Sequence, residues 1–224
     1  MPKMLEAWEF ITQRPELLAE WTLRHLWIVF VANGIAVIFG MVLGLYITGK
    51  GREHTADTAL YLAEITMTIP SLALFGLLML LLDSMGLKAI GFLPAVIALI
   101  VYGQLPILRN TYTAIRQIEP AIIEAGKGVG MNERQLLLKV KLPLAVPVIM
   151  AGLRTAIVMN IGIAAIAALI GAGGLGAPIF RGLRNARMDL IIVGGASVSI
   201  LALLIDSLMS RLERWVTPKG LRIR

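Results

Sequence analysis

Long stretches without a charged residue decide the class of fold before any motif is considered. Leu26 to Thr48, Ile65 to Leu82, Ala89 to Leu108, Thr155 to Ile170 and Leu190 to Ile205 contain no Asp, Glu, Lys or Arg. A helix rises about 1.5 Å per residue, so roughly 20 residues cross a hydrocarbon core about 30 Å thick. Allowing for flanks, the runs predict five transmembrane helices near 25–48, 60–83, 89–111, 145–170 and 190–210. Backbone groups in lipid must be satisfied within the segment, and these runs are too long and too unalternating for barrel strands. The expected fold is therefore all-α. A single membrane domain covers 21–210, after an interfacial segment at 1–20 and before a basic tail at 211–224. With 58% hydrophobic residues and a mean hydropathy of +0.81, a chain of 224 residues is too apolar for a soluble domain.

Glu6, Glu9, Glu16 and Glu20 occupy the region where the apolar core of a cleavable signal would lie, so none is expected. Trp8, Phe10 and Trp21 sit among those charges, and with Trp27 and Trp215 the tryptophans mark span ends as interfacial anchors do. Cysteine is absent, which excludes disulfides and thiolate metal sites. The net charge of +7 is explained by its distribution and not by nucleic acid. One side of a five-span chain holds Lys50, Arg52, Arg109, Arg116, Lys127, Arg134, Lys139, Lys141, Arg211, Arg214, Lys219, Arg222 and Arg224. The other holds Lys3, Arg14, Arg24, Lys88, Arg181, Arg184 and Arg187, while Arg154 falls inside a span. Cytoplasmic loops carry the excess of Lys and Arg. The expected location is a bacterial plasma (inner) membrane, with the N-terminus outside and the C-terminus in the cytoplasm.

Small residues let helix backbones approach closely in lipid. Gly40 with Gly44, Ala164 with Ala168, and Gly195 with Ser199 have that four-residue spacing. Pro70, Pro94 and Pro106 remove helical hydrogen bonds and are expected to kink the second and third spans. Two phosphate-loop look-alikes fail on context. Gly44 to Gly51 has Gly51 where Ser or Thr would meet magnesium, and it ends a membrane helix. Gly171-Ala172-Gly173-Gly174-Leu175-Gly176 has no strand–helix unit around it, and reads as the end of the fourth span at the outer face. No nucleotide site of its own is expected, so any energy must come through a partner.

Between the third and fourth spans lies a polar, basic segment of a kind a bilayer protein carries for a reason. It reads Glu124-Ala125-Gly126, three residues, Gly130, nine residues, Val140, one residue, Leu142-Pro143. This resembles the signature loop of ABC-importer permeases, Glu-Ala-Ala-x3-Gly-x9-Ile-x-Leu-Pro, departing only at Gly126 and Val140. The resemblance implies that 120–143 contains a short coupling helix seated in a cleft of a cytoplasmic ATPase. By the same resemblance Gly130 marks the turn after that helix. Three further strings look like the osmoprotectant branch: Thr68-Ile69-Pro70-Ser71-Leu72-Ala73-Leu74, Leu105 to Tyr112, and Leu144 to Ala156. The glycine string from Ile170 to Gly176 is similar to that of methionine and quaternary-amine importers.

The resemblance covers roughly residues 20 to 210 and implies the type I importer permease fold. It further implies two permease subunits, identical or related, around a central path, with an ATPase dimer beneath. ATP and magnesium belong on that dimer, and this chain binds no cofactor or metal. An external or periplasmic binding protein would deliver glycine betaine, choline or a similar solute, with methionine or another small amino acid as the alternative. A weakly polar path is expected to draw on Thr68, Pro70, Ser71, Tyr102, Gln104 and Asn160, with Thr66 and Ser197 as further candidates. Arg154 within the fourth span calls for a carboxylate partner, Asp206 or Glu64. A membrane hydrolase would need a histidine constellation, but His25 and His54 lie at opposite ends of the first span. A secondary carrier would show internal repeats and mid-membrane acids, and neither is evident.

Overall fold

The apolar runs fold as helices throughout; no strand occurs among the described residues. The computed structural model describes residues 2–217, so Lys219, Arg222 and Arg224 of the basic tail lie outside the described residues. A short helix α1 (Pro2–Gln13) leads into α2 (Pro15–Ile47), which is fixed at its start by Pro15 in the first turn. The first span thus begins well before residue 25, and its polar first turns lengthen it beyond a hydrocarbon core. After α3 (Glu53–Thr68) and α4 (Ser71–Ser84) comes α5 (Phe92–Arg116), then α6 (Pro120–Gly128) and α7 (Glu133–Leu136). A π-helical turn, Leu137–Lys141, joins α7 to α8 (Leu142–Ile166), which ends in a 3₁₀ turn, Ala167–Ile170. Then α9 (Gly176–Arg184) and α10 (Met188–Val216) complete the described chain.

Among the described residues, four long apolar helices and one broken pair, counted as one span, make five. The second span departs from the expected single kinked helix, because α3 and α4 meet at 104°. Pro70 has no N–H to continue the helix, and Ile69 before it takes an extended conformation (ψ 124°). Side-chain hydroxyls bond carbonyls leading up to the break. Thr66 donates to Ala63 O and Thr68 to Ile65 O at 2.7 Å each, and the Tyr102 hydroxyl donates to Ile69 O at 2.6 Å. Pro94 does not kink its helix. It lies in the first turn of α5, where a missing N–H leaves no bond unmade. Pro106 sits inside α5, and its carbonyl accepts an extra bond from Asn110 Nδ2 at 2.8 Å.

Helix α5 is the centre of the bundle, flanked by α2 and α8 and also touched by α3 and α4. Helix association in lipid rests on close packing and hydrogen bonds, because the tails are as apolar as leucine. Glycine supplies the closeness. A Cβ on Gly40 would lie 2.7 Å from Ile107 Cγ2, and one on Gly44 2.9 Å from Thr111, so α2 lies against α5 through the expected pair. On α8, a Cβ at Gly152 would meet Asn110 Cβ at 2.5 Å and Pro106 O at 2.7 Å. The pair expected on α10 is displaced by one residue. Gly194 packs on Ile179 and Leu175, whereas Gly195 faces open space and Ser199 is exposed. Trp21 is not an interfacial anchor; it is buried and stacked on Phe10, with centroids 6.1 Å apart.

Two alanine substitutions on α8 separate packing from propensity. Gly152→Ala drives a methyl into the Pro106 carbonyl, and is expected to destabilise the subunit by about 1–3 kcal/mol. Gly162 has nothing within 4 Å of its would-be Cβ, so Gly162→Ala is expected to be neutral or to stabilise by up to about 1 kcal/mol. Thermal unfolding of the detergent-solubilised protein measures both, and equal midpoints would contradict the packing argument.

Candidate functional site

The segment between the third and fourth spans folds as two helices joined by a glycine turn. Pro120 starts α6, and Gly130 (φ +82°) ends its cap. Gly130 N–H donates to Lys127 O at 2.9 Å and Met131 N–H to Gly126 O at 3.1 Å, satisfying carbonyls that the helix end leaves free. Left-handed backbone of this kind costs a side-chain-bearing residue about 1–2 kcal/mol, which is the local reason for glycine at 130. The next helix starts at once. Asn132 Oδ1 accepts from Gln135 N–H and Gln135 Oε1 accepts from Asn132 N–H, both at 2.9 Å, forming a reciprocal cap.

Gly126 is buried against Leu136, whose Cδ1 would lie 2.7 Å from a Cβ at 126. This contact holds α6 on α7 and accounts for glycine where the resembled motif has alanine. Glu124 and Ala125 are exposed on α6, as are Ile122, Lys127 and, at its cap, Val129, so most of this short helix's surface, with Glu124 opposite the buried Gly126, is without a partner among the described residues. Val140 lies in the π turn, and Leu142 with Pro143 opens α8, all three half-buried. From Glu133 to Ile170 the helical rod is continuous. Lys50, after α2, bonds Glu133 Oε1 at 3.0 Å, tying the neighbouring loop to α7. That hydrogen bond is the main cause that raises the Lys50 ammonium above its ordinary pKa.

The expected path residues part into two groups. Thr68, Pro70 and Ser71 gather at the break between α3 and α4, where Thr68 and Pro70 are exposed and Ser71 is half-buried. Tyr102 and Asn160 face no open space. Tyr102 is buried with its hydroxyl spent on Ile69 O, and Asn160 is fully buried, with Nδ2 donating to Asn33 Oδ1 at 2.9 Å and Leu99 O at 3.0 Å. Gln104 is half-buried and donates to Ile100 O at 3.1 Å and Ala36 O at 3.4 Å. The outward reading of Tyr102 and Asn160 fails because both sit on inner faces of α5 and α8, where a polar group must find a partner. His25 belongs to the same interior. Its Nε2 lies 3.1 Å from Ile161 O, and its Nδ1 accepts from Leu175 N–H at 3.3 Å, pinning the glycine turn after α8.

Arg154 lies against Asp206, with Nε to Oδ1 at 2.5 Å and Nη2 to Oδ2 at 2.6 Å. Glu213 approaches Nη1 at 3.9 Å. Glu64, the other acid considered, is turned away and pairs with Arg109 of α5. About one-third of the Arg154 and Asp206 side chains remains exposed. The pair borders a cavity of about 490 Å³ shared with Ala151, Thr155, Val158 and Met159. No spacing rule marks Asp206 over Glu64; the register between α8 and α10 decides it.

Residues 36–219 match the family model described as binding-protein-dependent transport system inner membrane component. The chain is 46% identical to the osmoprotectant import permease protein OsmW of Salmonella typhimurium, over 92% of this chain and 94% of that one. It is 41% identical to the glycine betaine/carnitine/choline transport system permease protein OpuCB of Bacillus subtilis, covering 94% and 93%. Among solved structures, the inward-facing MetNI methionine ABC transporter superposes with a TM-score of 0.77 at 25% identity, covering 92% of this chain and 99% of that one.

Removing one side of the charged pair strands the other at membrane depth. Arg154→Met is expected to destabilise the subunit by about 1–3 kcal/mol, between the values for exposed and for buried pairs. The double variant Arg154→Met/Asp206→Leu is expected to recover most of that loss. Thermal unfolding of both variants measures this, and a double variant as weak as the single would show that the pair is not the cause.

Proposed function

The chain belongs to the family of binding-protein-dependent transport system inner membrane components, and from that premise we propose that it is the permease subunit of an ABC importer for osmoprotectants such as glycine betaine, choline or carnitine. The substrate class is supported by relatives named for it that align over almost the whole chain. In this reading two permease copies, or this chain with a related one, enclose the path. A cytoplasmic ATPase dimer supplies the energy and a separate binding protein supplies the solute. The observation that carries the coupling role is α6, a short helix held out between two spans, buried only at Gly126 and exposing Glu124 on the side away from that contact.

The geometry gives the coupling a mechanical form. Helix α6 is fixed to α7 by the Gly126–Leu136 contact and by the Gly130 cap, so the two move as one piece. Helix α7 continues through the π turn into α8, and a push on α6 therefore enters the bundle along a rod packed on α2, α5 and α10. Thr68, Pro70 and Ser71, at the break in the second span, are the expected path residues that this structure leaves open. The N-terminus is placed outside and the loop from 120 to 143 in the cytoplasm, on the excess of Lys and Arg around that loop. Reporter fusions are expected to read external at Gly86 and after Gly182 and cytoplasmic at Asn132. An external reading at Asn132 would end the assignment.

Removing one partner of a charge pair desolvated in a protein cleft can cost a complex about 2–5 kcal/mol. Glu124→Lys and Gly130→Asp are accordingly expected to abolish uptake while the subunit inserts at normal levels, with ATPase co-purification lost or its ATP hydrolysis unresponsive to the binding protein. Normal transport by both variants would exclude the loop as the coupling element. For the substrate, cells that depend on this system are expected to take up glycine betaine at high osmolarity, competed by other quaternary amines and not by methionine. Because the fold is shared with a methionine importer, methionine competition without a betaine effect would move the substrate to amino acids.

A further inference from the structure

Helix α3 is poorly matched to lipid. Over Glu53–Thr68 it carries Glu53, His54, Asp57 and Glu64 with four threonines. Its buried residues, Ala56 and Ala63, form a narrow stripe two turns long, and its main packing partner is α5. Two ion pairs fasten it there, Glu53 to Arg116 and Glu64 to Arg109. They also cancel the charges that α5 presents to this helix, since Tyr112 adds only a hydroxyl bonded by Arg116. Asp57 is left without a partner among the described residues, and Tyr61, one turn further along, is 64% exposed.

Residues four apart on a helix share a face. Asp57 and Tyr61 therefore stand side by side, and with His54, Thr58, Leu60 and Glu64 they border a cavity of about 520 Å³. That cavity has one wall. Every residue bordering it belongs to α3, so its opposite side is open in a single subunit. A free carboxylate and hydroxyl groups do not face hydrocarbon by preference. The helix also leads somewhere, ending at Thr68 beside the broken peptide stretch of Ile69 and Pro70. Its open face thus runs from the Lys50 loop to the residues already assigned to the path.

We infer that this face of α3 is a wall of the solute's inner vestibule, and that Asp57 with Tyr61 selects solutes bearing a quaternary ammonium group. The inference rests on the transport reading above and adds the residues and the charge preference. A trimethylammonium head has no N–H to donate. It is recognised by a nearby negative charge and by the face of an aromatic ring, which are the two groups Asp57 and Tyr61 place on one face. The inner surface carries an excess of cations, with Lys50, Arg52, Lys127, Lys139 and Lys141, that would repel such a head, and Asp57 is the acid of α3 that no ion pair offsets among the described residues.

The absence of native cysteine allows a direct test in the assembled transporter. Thr58→Cys places a thiol beside Asp57, and Ile38→Cys places one on the exposed apolar side of α2 as a lipid-facing control. Each is treated with a methanethiosulfonate bearing either a trimethylammonium or a sulfonate group. With rates corrected for those on a free thiol, Thr58→Cys is expected to react at least about tenfold faster than the control and to prefer the cationic reagent about tenfold, as one nearby charge provides. Asp57→Asn is expected to abolish the preference but not the reaction, and glycine betaine to slow the cationic reagent, less so in Tyr61→Leu. A Thr58→Cys no more reactive than the control overturns the vestibule. Equal rates for both reagents, or a preference that survives Asp57→Asn, overturns the charge selection. The two readings fail separately: betaine uptake with inert Thr58→Cys removes only the vestibule, whereas charge-selective labelling in a transporter of methionine and not betaine removes only the osmoprotectant reading.

Discussion

The contact on which the rest of the structure depends is the close approach of α5 to α2 on one side and α8 on the other. In lipid the hydrophobic effect does not drive helices together, so their association rests on surfaces that fit. The fit is made by absent side chains. Gly40 and Gly44 admit Ile107 and Thr111, Gly152 admits the Pro106–Asn110 turn, and Gly103 leaves room for Ala36 and Asn160. Once backbones are this close, polar side chains can reach across them. Asn160 of α8 bonds Asn33 of α2 and Leu99 O of α5, so the three helices share one hydrogen-bonded point. The amide oxygens of Asn160 and Gln104 stay without a partner among the described residues, a cost that the surrounding packing offsets.

The loop at 120–143 follows a different logic, because it must hold a shape in water. Every device there is local: Pro120 at a helix start, the left-handed Gly130, the reciprocal cap of Asn132 and Gln135, and one buried contact between Gly126 and Leu136. Local devices leave traces at short sequence spacing, which is why this segment was the most legible part of the chain. The turn at Gly130 is implied by the resemblance of this segment to the permease signature, and φ +82° is its physical content.

Legibility fell wherever the answer depended on which face a residue turns. Span existence followed from uncharged length alone, and Pro70 pointed to a kink in one helix. The break of 104° exceeds that reading, and part of what supports it, the Tyr102 hydroxyl on Ile69 O, comes from another helix. Tyr102 and Asn160 were read as path residues on polarity, yet polarity inside a membrane protein is equally a mark of interhelical bonding. The small pair on α10 was misplaced by one residue, since Gly194 and Gly195 are indistinguishable in sequence and about 100° apart on the helix. Conversely, 60–83 was read as one span, and of the acids of α3 only Glu64 was weighed, as a partner for Arg154. That α3 buries little beyond Ala56 and Ala63 is a property of the packing.

The break in the second span is where these strands of argument meet. A helix interrupted at membrane depth is tolerated only when its freed carbonyls find donors, and here one donor, Tyr102, belongs to α5. Helix α5 is in turn held by α8, and α8 is the same rod that begins at α7 beneath the exposed α6. The two ion pairs from α5 to α3 complete the circuit on the other side of the break. Displacing α6 therefore cannot leave Ile69 and Pro70 untouched unless one of these contacts gives way. The weakest of them are the half-exposed ion pairs, each worth only about 0–1 kcal/mol, against tight glycine contacts such as that of Gly152 on the Pro106 carbonyl. In the coupling proposed above, motion delivered from the loop would be resisted along α5 and α8 and released at α3, whose Asp57 and Tyr61 are exposed.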